Sequence, residues 1–199
     1  MGSPVDFVLA SGSPRRRELL HSLGWSFRIA VPDVCEDLLS GESPGEAALR
    51  LSRMKAREVS ERNPDALVMA ADTLVAVGGI VLGKPANRDD ALEMIRALSG
   101  SFHSVFTGVS LLQRDKERCA VEETLVEFRT LSEQEMRAYV ESGEGDDKAG
   151  AYAIQGRGAL LVSSLRGDYF NVVGLPLCRV SFLLQEFGYS LSDQWRNSL

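Results

Sequence analysis

A chain of 199 residues, 44% hydrophobic and 25% charged, is long enough to bury a sizeable core as one large domain or two lobes. Its 22 Lys and Arg against 28 Asp and Glu leave a formal net charge of -6, which excludes a diffuse attraction to nucleic acid. No window approaches the roughly 18 consecutive apolar residues of a membrane span, and the opening MGSPVDF lacks the basic start and apolar run of a secretory signal, so a cytoplasmic protein without membrane partners is expected. Cys35, Cys119 and Cys178 are odd in number and far apart, which speaks for small buried thiols rather than a disulfide framework or a thiolate metal site. With only His21 and His103 available, a multi-histidine zinc centre lacks ligands, and any metal is expected on oxygens.

Along the chain, Val5 to Ala10 reads as a short buried strand. Ser13 and Pro14 then supply an N-cap and a first-turn proline for a helix that carries Leu19, Leu20 and Leu23 and stops at Gly24. Ser43 and Glu46 have capping-box spacing around Pro44, opening a second helix that runs to about Arg62 before Asn63-Pro64. Leu67 to Ala71 is a buried strand and a further β segment continues through Val77, with Gly78-Gly79 turning back along Ile80 to Leu82. NRDDALEMIRALSG is a third helix with Ala91, Leu92, Ile95 and Leu98 on one face. SVFTGVSLL and CAVEETLVEFRTL are strands, after which Ser132 and Glu135 box the start of a helix through about Ser142. The stretch from DDKAGAY to VVGLPL alternates glycine with apolar and aromatic residues, as close-packed strands and tight loops would, before a last helix to about Phe187. The sum is an α/β mixture in a single domain spanning 1–199, without repeats or a clear linker.

Strand, Ser-Gly-Ser-Pro and helix together aim free backbone N–H groups at an anion, and Ser13 with the forks of Arg15, Arg16 and Arg17 adds donors suited to phosphate. Consecutive helical positions fan around the axis, so the three arginines do not all face one ligand. Phosphate binding and a well-capped surface helix both fit this spacing. Lys55 falls inside the stripe of Ala48, Leu51 and Val59 and should point inward, with a snorkelling amine as the alternative. Lys84 in GKP and Lys148 in DDKAG are pinned beside turn residues. Asp72 follows a buried strand where the strand end is expected to open towards solvent. There it either takes a proton from water, holds a hard divalent cation, or caps a turn. Glu36, with Asp37 beside it, is the candidate partner carboxylate. Thr73 and Gln155 are neutral groups of the kind that reads a nucleobase edge, or else turn residues satisfied locally.

Taken in order, LASGSPRRRELL, ADTLVAVGGIVLGKP, HSVFTGV, GDDKAGAYAIQGRGALLV and GDYFNVVGLPL resemble the Maf family of nucleoside triphosphate pyrophosphatases, from Phe7 to about Phe187. The resemblance implies a mixed twisted sheet with flanking helices and two lobes around a deep cleft, related to the inosine triphosphate pyrophosphatases. It also implies house-cleaning cleavage of a nucleoside triphosphate between its α and β phosphates. Arg15, Thr73 and Gln155 match the branch acting on dTTP, UTP and modified pyrimidine nucleotides rather than the one acting on 7-methyl-GTP. Asp72 matches the family's proton acceptor, while Ser13, Arg15, Arg16, Lys55, Lys84 and Lys148 match positions around the phosphates. Glu36 and Asp72 match positions around a divalent cation, Mg²⁺ or Mn²⁺. A homodimer is a further expectation from the family. The competing expectation is a nucleotide-binding regulator of cell division or septum formation without turnover.

Overall fold

Phe7–Ala10 (β1) lies parallel to Leu67–Val77 (β3), Ala10 opposite Ala70, and this pair founds a seven-stranded sheet. The structure is a computed structural model describing residues 5–196, so the first four residues of the opening stretch read for a targeting signal lie outside it. The strand order is β2 (Arg28–Ile29), β1, β3, β5 (Phe102–Gln113), β6 (Lys116–Phe128) and β7 (Val162–Arg166), with β4 (Ile80–Leu82) paired to β3. Pairings of β1 with β2 and β3 are parallel and all others antiparallel, giving the mixed α/β sheet that the sequence leads one to expect.

Alternation along the strands sorts the packing. Val8, Ala10, Val68 and Ala70 face α2 (Pro44–Glu61), where Ala56 and Val59 complete a small apolar cluster. Phe7, Leu9, Leu67, Met69 and Ala71 face the other way, onto α1 (Pro14–Ser22) and a larger cluster. That cluster continues through α3 (Arg88–Leu98), α4 (Glu133–Glu141) and α6 (Leu177–Glu186). Both expected capping boxes form, Ser43 with Glu46 and Ser132 with Glu135. Among the described residues no helix is long and apolar enough to cross a membrane.

Four expectations are corrected. The strand does not end at Asp72: β3 runs unbroken because β5 pairs it from Val68 to Ala76 along one edge. What opens is the opposite edge, since β1 leaves after Ala70 and β4 joins only at Val75. The glycine-rich stretch before the last long helix is mostly not strand. It forms two 3₁₀ turns (Ala149–Ala151 and Gly156–Leu160), then β7, then α5 (Tyr169–Val173). Two of its glycines serve backbone-on-backbone packing, since a Cβ on Gly145 or Gly158 would stand 1.9 Å from the carbonyl oxygen of Ala151 or Ala153. β2 and α7 (Leu191–Trp195) went unforeseen, being too short to show a period. The cysteines are not buried thiols: Cys35 and Cys178 are exposed and Cys119 is half-buried.

Gly108 sits opposite Asp72 in the β3–β5 register, and a Cβ there would lie 2.2 Å from the Ala48 carbonyl oxygen. The missing side chain is what lets α2 press onto the sheet beside Asp72. Gly108→Ala should therefore lower the unfolding free energy by roughly 1–3 kcal/mol through overpacking. Urea unfolding checks this, and an unchanged midpoint would show that α2 has slack.

His103 is buried, its Nε2 2.8 Å from the Tyr152 hydroxyl oxygen and its ring edge-on to Phe128 and Tyr152. Burial pushes its pKa from 6.5 down to about 4. The unfolded chain thus takes up a proton near pH 6.5 that the folded chain refuses, and stability falls as pH drops through that window. The loss is on the order of 3 kcal/mol by pH 4. His103→Gln should flatten the fall when unfolding is compared at pH 7.5 and 4.5, and an equal fall in both proteins would place its origin elsewhere.

Candidate active site

The open stretch of the β3 edge, Ala71–Leu74, gives onto a cavity of about 930 Å³. Its walls come from the β1–α1 loop, the long 30–43 loop, α2, β3, the turn after β4 and the 144–156 segment. Ten residues singled out from the sequence line it: Ser13, Arg15, Arg16, Glu36, Lys55, Asp72, Thr73, Lys84, Lys148 and Gln155; Arg17 and Asp37 do not.

At its centre Lys55 bridges two acids. Asp72 shares the face of Val68 and Ala70 and so points to α2, where Lys55 lies one turn after Leu51 on the buried stripe. Lys55 Nζ is 2.5 Å from Asp72 Oδ1 and 2.7 Å from Glu36 Oε1. Lys55 and Asp72 are only 7% and 6% exposed, so the amine does not snorkel. Glu36 is more open and rides on the 30–43 loop. Burial by itself would raise the Glu36 pKa, but the Lys55 hydrogen bond and the charges of Lys55, Lys84 and Arg16 hold it below the usual value.

Thr73 points to the opposite face and meets Arg16. Arg16 donates from Nε to the Gly174 carbonyl (2.8 Å), from Nη1 to Ser11 Oγ (3.2 Å) and from Nη2 to Thr73 Oγ1 (3.0 Å). Burial pushes the Arg16 pKa down, opposed by the charges of Asp72 and Glu36, and a guanidinium stays charged regardless. Thr107 donates its hydroxyl proton to the Asn171 carbonyl, so in the 2.9 Å contact between the two threonines Thr73 must be the donor. With its proton committed and one lone pair taken by Arg16, Thr73 offers the cavity an acceptor only. Ser13 occupies the N-cap position of α1, but its hydroxyl caps nothing; Ser11 Oγ accepts from the Ser13 N–H instead.

The remaining cations differ in their ties. Arg15 is half-buried with its charge acting on Glu144 and Asp147, while Arg17 faces solvent, as helical fanning requires. Lys148 is paired with Asp147, and Lys84 makes no ion pair among the described residues. The Gly150 N–H donates to the Gly83 carbonyl at 3.0 Å, fixing the two lysine-bearing loops against each other. The sequence reading missed Ser11, Glu144 and Arg50, the last of which grips Glu42 and the Asp37 carbonyl and so holds the Glu36 loop on α2. Ser11 had a signal, a hydroxyl directly after a buried strand. Glu144 and Arg50 had none, because their partners are backbone groups or loop residues that only folding brings near.

No group of three or more His, Cys, Asp or Glu placed to hold a metal ion occurs among the described residues. Asp72 and Glu36 nevertheless form an all-oxygen pair, and neither Asp72 Oδ2 nor Glu36 Oε2 accepts a hydrogen bond from the described residues. Two carboxylates with free oxygens on this cavity fit a hard divalent cation that takes its other ligands from water and substrate.

Residues 6–187 match the model of the family described as Maf-like protein. The chain belongs to the Maf family. This Maf chain is 53% identical over 184 residues to the dTTP/UTP pyrophosphatase of Symbiobacterium thermophilum, covering 92% of itself and 95% of that protein. It is 47% identical over 188 residues to the dTTP/UTP pyrophosphatase of Pelotomaculum thermopropionicum, covering 94% and 98%. Pyrophosphatases of the Maf family are generally metal-dependent hydrolases. Among solved structures, a HAM1 protein from Coxiella burnetii overlaps 62% of the Maf chain and 73% of its own at a TM-score of 0.42 and 16% identity, too distant to decide anything.

Removing Lys55 leaves a buried aspartate without its cation. Lys55→Met should cost roughly 3–5 kcal/mol, and adding Asp72→Asn should return much of it. Urea unfolding of the two single variants and the double variant measures the coupling; strictly additive losses would mean the pair does not act as one.

Proposed function

We propose that this chain is a house-cleaning nucleoside triphosphate pyrophosphatase, acting as one catalytic domain on dTTP, UTP and modified pyrimidine nucleoside triphosphates. The reading is carried by one observation: a buried lysine bridges two acids on the wall of a cavity into which Arg15, Arg16, Lys84 and Lys148 also face. The names of its close relatives supply the substrate class. A binder without turnover gains nothing from two carboxylates facing phosphate, since like charge weakens the complex.

In the proposed reaction Lys55 holds Asp72 by Oδ1 and leaves Oδ2, with two lone pairs, to serve as base towards water, as ligand to the cation, or as both. The water oxygen bonds to the α-phosphorus, the bond to the bridging oxygen breaks, and pyrophosphate leaves with that electron pair. Lys84, Lys148, Arg15 and the remaining Arg16 N–H groups offset the charge gathering on the leaving oxygens, and the N-terminus of α1 with Ser13 faces the same tail. Glu36 and Asp72 would hold a divalent cation, Mg²⁺ or Mn²⁺, which neutralises phosphate charge when bound. For the base, the acceptor-only Thr73 suits the N3–H of uracil or thymine and repels the bare N3 of cytosine, and the Gln155 amide pairs with a ring carbonyl.

With Mg²⁺ present, pyrophosphate release from dTTP and UTP should exceed that from CTP and 7-methyl-GTP, and Asp72→Asn should lower kcat by about 10²–10⁴. An assay of all four nucleotides reads both effects. No release above the Asp72→Asn level from any of them would refute hydrolysis, and a 7-methyl-GTP preference would refute the base assignment alone.

A further inference from the structure

Glu144 lines the cavity, yet its carboxylate reaches back to the chain that carries Gln155. Oε2 accepts from the Arg157 N–H at 2.9 Å; Oε1 accepts from the Gly158 N–H at 2.8 Å and from the Tyr139 hydroxyl at 3.3 Å. Those backbone groups open the 3₁₀ turn Gly156–Leu160, whose own N-cap residue, Gln155, makes no side-chain cap. A carboxylate thirteen residues before Arg157 caps the turn in its place, and Gln155 lines the cavity with its amide free of hydrogen bonds to the described residues. Between cap and turn there is room only for glycine: Gly156 has φ +68, and a Cβ on it would stand 2.5 Å from Glu144 Oε2.

Tyr139 closes the arrangement by accepting the Ala153 N–H at 3.1 Å while donating to Glu144. Burial, first among the causes, raises its pKa to about 12, so the hydroxyl proton is always there to donate. Lys148, at the other end of the same loop, is anchored separately, through the Gly145 carbonyl that accepts its N–H at 3.0 Å and the Gly150–Gly83 bond. Loosening Glu144 therefore frees the Gln155 end and leaves the Lys148 end pinned.

We propose that Glu144 is a positioning residue for base selection: its carboxylate caps the Gly156–Leu160 turn so that the Gln155 amide is held towards the base. This rests on the triphosphate reading above and adds a residue that touches neither base nor phosphate. The charge of Arg15 acts on the same carboxylate.

The test compares wild type, Glu144→Gln, Glu144→Ala and Gly156→Ala by binding of α,β-imido UTP and α,β-imido CTP and by turnover of UTP and CTP. The preference for the uridine over the cytidine compound should fall about tenfold or more in Glu144→Ala and Gly156→Ala. It should fall less in Glu144→Gln, which keeps one acceptor oxygen. The loss should appear in KM and in analogue binding, with kcat for UTP within about threefold of wild type. Equal weakening of both bases, a change in kcat alone, or a wild type that binds both analogues equally would overturn the proposal. If wild type prefers the UTP analogue but cleaves no triphosphate, the proposed reaction fails while the binding ratios still decide the role of Glu144. Should Glu144→Ala not fold, the isosteric Glu144→Gln carries the comparison.

Discussion

The Lys55 ammonium set between Asp72 and Glu36 is the contact on which the rest of the site depends. A lysine and an aspartate this buried are tolerable only together, because either alone would leave an uncompensated charge out of water. That pairing fixes α2 in rotation and height, since Lys55 reaches Asp72 only from the helix stripe that also carries Leu51 and Val59. Gly108 makes the approach close enough, and Arg50 draws in the loop bearing Glu36 from the solvent side. One ion pair thereby joins a helix, a central strand and a long loop into a single wall.

β3 carries two chemistries on consecutive residues by pointing them to opposite faces. Asp72 turns to α2 and to charge; Thr73 turns to Arg16 and to a chain of hydroxyls ending on the Asn171 carbonyl. In a continuous sheet those faces would never share a ligand. They do so here because the strand edge is bare between Ala70 and Val75, so a molecule lying against that edge meets both sides of the sheet at once. The gap between a parallel neighbour and an antiparallel one is thus the feature that creates the site. In the proposed reaction it also divides the labour, with phosphate work on one face and base recognition beside the other.

Much of this was legible in the chain. The capping boxes, the buried strands and the inward lysine follow from local spacing, and local spacing is what a sequence displays directly. Lys55 is the instructive case: a charge inside an apolar stripe marks a buried partner, and only the identity of that partner needed the fold. What stayed hidden depends on tertiary meeting. The bare edge at Asp72 is a property of β1 and β4, not of β3, so the sequence of β3 alone looks like a strand end there. Gly145 and Gly158 resemble strand glycines because both allow close approach, but here it is backbone of the same loop that approaches. Glu144 is invisible for the same reason, its partners being N–H groups thirteen and fourteen residues away, which no residue type announces.

A chain of net charge -6 and a polyanionic substrate look opposed, and the cavity resolves the conflict by commitment rather than by count. Five cationic and five acidic side chains line it, so its walls are neutral in sum. Most of the acids are occupied: Asp72 and Glu36 on Lys55, Asp147 on Lys148, Glu144 on backbone N–H groups. Arg15, Arg16 and Lys84 line it without an ion pair to any carboxylate among the described residues. Some acids on the outer surface are likewise matched, Glu117 by Arg53 and Arg57 and Asp6 by Arg28. Beyond a Debye length of about 8 Å, salt screens what is left. A triphosphate tail still brings more negative charge than three free cations can balance. In the proposed reaction that deficit is the electrostatic reason for a divalent ion to enter with it on the free oxygens of Asp72 and Glu36, and it would make metal and nucleotide each the condition for holding the other.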